Sequence, residues 1–200
     1  TIYFGLSGIK GIGQAQSQKI REKGQNFADI YDFFINTDAG NSDIEKLIDA
    51  GALDNFHYTR NSLKAVLPMI TSSRDLIKKE KKKLADAQNM LLDLEQNGTV
   101  SREKYHITTK ALPTKKKLEE KIEKSEANMK KVLESFRMIL IPKGHPDDLK
   151  ENLKKEKELL GMYISGSPLD GFVKGDNISD ISDVTPGKVK VMGILNDIHI

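Results

Sequence analysis

The residues best suited to chemistry lie near the start of the chain, in Leu6-Ser7-Gly8-Ile9-Lys10-Gly11-Ile12-Gly13-Gln14-Ala15-Gln16-Ser17-Gln18-Lys19-Ile20. That chemistry is anion binding. Gly11 and Gly13 carry no Cβ and tolerate positive φ, so a backbone built from them lets a phosphate come close. A helix starting near Gln14 aims its unpaired N–H groups and the positive end of its dipole at the same place. Ile9, Ile12 and Ile20 have the spacing to pack a preceding helix onto a following one, and Ser17 is small enough to let them approach. Lys10, Lys19, Arg21 and Lys23 surround the turn, with only Glu22 opposing them. Lys10, Gly11, Ile12, Gly13, Gln14 and Lys19 are therefore the candidate contacts. The alternative is a glycine-rich turn that only packs.

A second turn of related type follows. Ile44, Leu47 and Ile48 make the apolar side of a short helix, and Ala50-Gly51-Ala52 makes its turn. Asn41 or Ser42 is the expected cap, with Glu45 placed as in a capping box. Gly51-Ala52-Leu53-Asp54 holds one glycine and ends in an acid, so it is the poorer cradle. Gly51, with Arg60 and Lys64 on the next helix, completes the candidate contacts, although one member of such a pair often packs instead of binding.

Catalytic chemistry has no comparable support. Two-metal nucleotidyl transfer needs clustered carboxylates, and no Asp-x-Asp occurs; the pair Asp147-Asp148 stands at a helix start, where capping accounts for it. His57, His106, His145 and His199 lack ligand spacing. No Walker loop, Gly-x-Ser-x-Gly or Ser-x-x-Lys with partners is present. With no Cys, disulfides, thiol nucleophiles and thiolate metal sites are excluded, which fits a reducing compartment. No catalytic residue, metal or cofactor is expected in this stretch.

The elements that must position these residues are helical. The 200 residues, 38% hydrophobic and 30% charged, allow one or two domains with a real core. No apolar run approaches the ~20 residues of a membrane span, and no signal peptide is visible. The start lacks an initiator Met, so the chain is expected to be a piece of a longer protein. Residues 74–137 carry 17 basic against 11 acidic side chains, while both flanks are slightly acidic. Such an excess attracts phosphates or simply solvates a helical surface. From Asp75 to Gln96 there is no Pro or Gly, and Ile77, Leu84, Ala87, Leu91 and Leu94 fall on a heptad seam. Leu118, Ile122, Ser125, Met129, Val132, Phe136 and Ile139 form a second one. Asn97-Gly98 stops the first helix, and Pro113-Thr114 starts the second. The two should fold back as an antiparallel hairpin with arms of roughly 35 Å. After Pro142-Lys143-Gly144-His145-Pro146, Asp147 or Asp148 caps a helix running to about Tyr163. Met162-Tyr163-Ile164 reads as a strand-like exit, 171–183 as irregular chain, and Gly187–Leu195 as a strand by its period of two.

The first turn has the spacing of a helix-hairpin-helix, a motif that grips the DNA sugar-phosphate backbone without reading bases. Ile2-Tyr3-Phe4-Gly5-Leu6, with the glycines after it, resembles the segment following the fingers of bacterial DNA polymerase III alpha subunits. Ile44-Glu45-Lys46-Leu47-Ile48-Asp49-Ala50-Gly51-Ala52-Leu53-Asp54 resembles that family's second hairpin. Lys155-Glu156-Lys157-Glu158-Leu159-Leu160-Gly161-Met162-Tyr163-Ile164-Ser165-Gly166-Ser167-Pro168-Leu169-Asp170 resembles its signature before the OB domain. Ser167 stands where the family usually has His, and the charged middle matches poorly.

Periodicity and resemblance together predict a mainly α fold in four parts: a tandem helix-hairpin-helix domain (1–73), a charged antiparallel helical hairpin or coiled coil (74–141), a linker helix with the Ser-Gly-Ser-Pro-Leu-Asp turn (142–175), and a short β segment beginning a truncated OB-like domain (176–200). The resemblance implies a non-catalytic, C-terminal fragment of a replicative polymerase, holding primer-template duplex in the cytoplasm on the bacterial nucleoid. The polymerase carboxylates and their Mg²⁺ would lie upstream of residue 1. Host and phage origins both remain open. It also implies a sliding-clamp contact, for which Gln88, Leu91 and Leu92 are the best candidates and Phe136-Arg137-Met138-Ile139-Leu140 the apolar alternative. Two rival readings stand beside it: a protein-interaction scaffold using the helical hairpin, and a nuclease or ligase fragment that borrows the hairpins.

Overall fold

The computed structural model describes residues 5–23, 27–109, 111–170, 178, 187–188 and 190–193. Regular structure among them is helical: α1 (Gln14–Lys23), α2 (Ile30–Asn36), α3 (Asn41–Asp49), α4 (Arg60–Asn97), α5 (Lys115–Arg137) and α6 (Leu149–Leu160). Short 3₁₀ turns at Leu6–Gly8 and Asp54–Phe56 precede α1 and α4.

Local sequence explains the short helices. Asp29 caps α2, its carboxylate accepting from the Asp32 amide at 2.6 Å, and Ile30, Phe33 and Phe34 form the buried face. Ile44, Leu47 and Ile48 repeat that spacing in α3. The expected capping by Asn41 or Ser42 is not seen: Gly40 holds the cap position with no side-chain bond, and Asp43 supplies the negative charge in the first turn. Asn41 has a different partner, since its amide oxygen lies 3.4 Å from the Arg74 guanidinium.

No break in the helix marks the boundary expected between residues 73 and 74. α4 runs unbroken from Arg60 to Asn97, past Pro68. A proline inside a helix removes one backbone hydrogen bond, but Val66 and Ile70 on either side are buried and hold the helix in place. Ile9, Ile12 and Ile20 share one cluster with Phe33, Phe34, Ile44, Leu47, Leu63 and Ile70, and Phe136, Ile139 and Ile141 join it from the end of α5. Tyr31 meets Phe136 edge to face at 6.0 Å. Hairpin region and arm are one packed unit.

The arm folds back as its apolar seams predict. Ile77 and Ala87 of α4 and Leu118, Ser125 and Phe136 of α5 are buried. Met90, off the predicted seam, joins Leu118 and Val100 in a small cluster at the tip, with Tyr105 and Ile107 against it. The Tyr105 hydroxyl donates to Asp93 at 2.7 Å, and Lys104 pairs with the same carboxylate at 2.8 Å. At 1.5 Å per residue, α5 spans about 35 Å and α4 about 57 Å. Arg74 is buried where the arm leaves the core. It donates to the carbonyls of Phe34, Thr37 and Ala39 at 2.8, 2.9 and 2.9 Å, satisfying the connection between α2 and α3. Burial lowers its pKa from the ordinary arginine value, and it remains a cation.

α6 is capped by Asp148, whose carboxylate accepts from the Lys150 amide at 2.9 Å. It ends at Leu160, with Gly161 left-handed at φ 76°, sooner than its sequence predicts. Residues 162–170 form turns, not a strand, and the described residues 187–188 and 190–193 are irregular. An isolated strand cannot form a ladder without a neighbour, and no partner strand occurs among the described residues. The remaining positions expected in the OB-like segment lie outside the described residues.

Candidate nucleic-acid interface

Ile9, Ile12 and Ile20 are buried, as their spacing requires. They fix a tight turn in which the Ile12 amide donates to the Ile9 carbonyl at 2.9 Å. Gly11 takes the positive φ, 84°, and its carbonyl accepts from Lys46 Nζ at 3.1 Å. Gly13 has no positive φ. It opens α1 instead, its carbonyl accepting from the Ser17 amide at 2.9 Å. A Cβ built at Gly13 would meet nothing within 4 Å. The amides of Gly11, Gly13, Gln14, Ala15 and Gln16 have no acceptor among the described residues, as the first turn of a helix dictates. Lys10, Gln14 and Lys19 are exposed around this opening. Ile12, expected among the contacts, has its side chain in the core and can offer only backbone.

The second turn is closed. Gly51 also has positive φ, 75°, but a Cβ there would overlap Arg60 Nη2 and lie 2.8 Å from Asp54 Oδ2. Arg60 is 2% exposed. Its guanidinium meets Asp54 at 2.7 and 3.2 Å, the Asp49 carbonyl at 3.1 Å, Ser165 Oγ at 2.9 Å and Glu156 at 2.8 Å. The Arg60 side chain, expected on the DNA side, is engaged inside, and its guanidinium fills the space over Gly51. Lys64 pairs with Asp49 at 2.5 Å.

Glu156 has a role that the sequence motifs do not announce. Fully buried, it accepts from the Ile164 amide at 2.7 Å, the Ser165 amide at 3.0 Å and the Ser165 hydroxyl. Burial pushes its pKa up, but these donors and Arg60 outweigh burial and hold it below the ordinary glutamate value. On Arg60, burial lowers the pKa, and Asp54 and Glu156 more than offset it. A signal is present all the same: Leu149, Leu153, Glu156 and Leu160 recur by four and three, so a carboxylate occupies an apolar-row position. Asp147 is a second such residue. It accepts from the Arg60 and Asn61 amides at 3.1 and 2.9 Å, capping α4 from the linker. The Asp147-Asp148 pair thus caps two different helices. The two hairpins meet α6 directly, since the Lys10 amide donates to the Leu159 carbonyl at 2.8 Å.

Among the clamp candidates, Gln88 and Leu92 are exposed, whereas Leu91 packs against the tip cluster. The described residues hold no group of three or more His, Asp or Glu placed to bind a metal ion, and none of their helices is long and apolar enough to cross a membrane.

A family profile described as a helix-hairpin-helix motif matches residues 1–63. The chain is also similar to DNA polymerase III alpha subunits: 27% identical to that of Campylobacter jejuni over 90% of this chain and 12% of that protein, and 30% identical to that of Chlamydia pneumoniae over 94% and 12%. Against that of Pseudomonas aeruginosa it is 30% identical over 86% of this chain and 13% of the relative. It therefore spans about an eighth of the length of these relatives. Comparison with solved structures gave no match. With a hairpin motif at its start and alpha-subunit similarity over most of its length, the chain belongs to the DNA polymerase III alpha subunit family.

Proposed function

We propose that this chain is a non-catalytic, C-terminal segment of a replicative DNA polymerase, and that it holds the primer-template duplex by its sugar-phosphate backbone without reading sequence. One observation carries this reading: the Gly11–Gln14 loop is open, with space over Gly13, unpartnered amides at the start of α1 and exposed Lys10 and Lys19. Amides and a helix start of this kind suit a phosphate. The second turn packs, and its role is to hold the first in place through Arg60 and α6. Nucleotidyl transfer, with its Mg²⁺, is assigned to parts of the polymerase outside these residues. Anisotropy of a labelled duplex, titrated at two salt concentrations, tests the reading. Binding should be indifferent to sequence, fall steeply with salt, and be lost in Gly13→Val.

A second reading, docking of a replisome protein such as the sliding clamp, is favoured by Met138 and Leu140, which are 79% and 87% exposed at the end of α5. Pull-down of the clamp by the wild type and not by Met138→Asp/Leu140→Asp would support it.

A further inference from the structure

A groove of about 610 Å³ runs along α6 and the turn after it, lined by Lys150, Leu153, Lys154, Lys157, Tyr163 and Pro168, with Glu158 at its rim. Lys150, Lys154 and Lys157 fall at i, i+4 and i+7, so they share one helix face. All three are exposed. Among the described residues none of these lysines is in an ion pair, and Glu158, which shares the groove, lies 4.0 Å from Lys155. Leu153 is buried beneath them. Tyr163 is half-buried beside them, its ring centre 5.4 Å from Lys157 Nζ.

A row of unpaired cations over an apolar floor, ending at an aromatic ring, is the chemistry that takes single-stranded nucleic acid. The lysines follow the phosphates, and the ring stacks an unpaired base. A duplex has no free base face to offer Tyr163, and an acidic peptide would use the lysines but not the ring. The location agrees. α6 touches the first hairpin loop through the Lys10 amide and the Leu159 carbonyl, 2.8 Å apart, so groove and loop sit on elements in direct contact. We propose that this groove binds single-stranded DNA, the unpaired strand adjoining the duplex at the hairpin. The inference rests on the DNA-binding reading above.

The test is anisotropy of two probes, a labelled oligothymidylate and a labelled blunt duplex, titrated with the whole chain and its variants. Circular dichroism verifies that each variant is folded. Lys150→Gln/Lys154→Gln/Lys157→Gln should weaken oligothymidylate binding at least tenfold and flatten its log–log salt slope by about 2, near 0.7 per phosphate on single strands. Tyr163→Ala should weaken it by about 5- to 150-fold, with Tyr163→Phe restoring it. Both sets should leave duplex affinity within about twofold. Oligothymidylate binding unchanged by both sets overturns the proposal, and so does an equal loss on both probes, which would make the lysines a general phosphate patch. Gly13→Val separates the two readings. If it abolishes duplex binding while the groove variants do nothing, the groove alone fails. If the wild type binds neither probe, the DNA reading fails and the groove with it.

Discussion

Arg60 and Glu156 meet at 2.8 Å with 2% and 0% of their side chains exposed, and this contact ties the start of α4 to α6 and the turn beyond. Removing one side of a buried pair leaves an uncompensated charge, which costs about 3–5 kcal/mol. Glu156→Ala also strands the Ile164 and Ser165 amides. We expect a loss in that range by urea denaturation, and a smaller one for the paired change Arg60→Met/Glu156→Leu. A single-variant loss under about 1 kcal/mol would show that the contact is not structural.

The same pair gives the fold a pH dependence. Glu156 is held below the ordinary glutamate value of 4.5, so its contribution is complete above that value and is lost as pH falls through its depressed folded value. Thermal midpoints should be level from neutral pH to about 4.5 and drop below it. In Glu156→Gln the acid limb should be shallower. An identical limb in both proteins would assign it to other carboxylates.

The two hairpin glycines should respond oppositely to one substitution. Gly13 faces open space without positive φ, so Gly13→Val should melt like the wild type while losing DNA affinity at least tenfold. Gly51 combines φ 75° with an Arg60 guanidinium that occupies the space a Cβ would need. Gly51→Val should therefore destabilise the fold by at least about 2 kcal/mol, because it strains the backbone and displaces the buried guanidinium. Equal loss of stability in both variants would refute the distinction between an open and a closed turn.

Asp147 and Asp148, an adjacent acidic pair in the sequence, act as caps in the fold. Asp147→Ala and Asp148→Ala should each cost about 1 kcal/mol, one through α4 and the other through α6. Mg²⁺ should leave the melting temperature of the wild type unchanged. A rise with Mg²⁺ that either substitution abolishes would show instead that the pair binds the metal.

What is legible in the sequence is periodic or stereochemically forced. The isoleucines of the first turn, the α3 face and the seams of the arm are readable because apolar spacing fixes a helix face before any partner is known. Gly11 is readable because its turn needs positive φ, whereas Gly13, read in the same way, opens α1 without it. What is not legible depends on residues distant in sequence. Arg60 looks like a surface cation on a helix start, and only the arrival of Glu156 and Ser165 makes it an internal one. The length of α4 is also hidden, because the packing of Val66 and Ile70 that carries the helix past Pro68 is tertiary. Asp147 caps a helix from which it is separated by the whole arm.

Because α4 starts in the Arg60 cluster and ends at Gly98 without a break, the arm is a lever and the hairpin region its fulcrum. Its one backbone flaw, Pro68, sits where the core clamps the rod, leaving the free length beyond Ile77 uninterrupted. A load applied at the tip, about 57 Å from the Arg60 end, is therefore delivered as torque on the closed turn and, through α6, on the open one beside it.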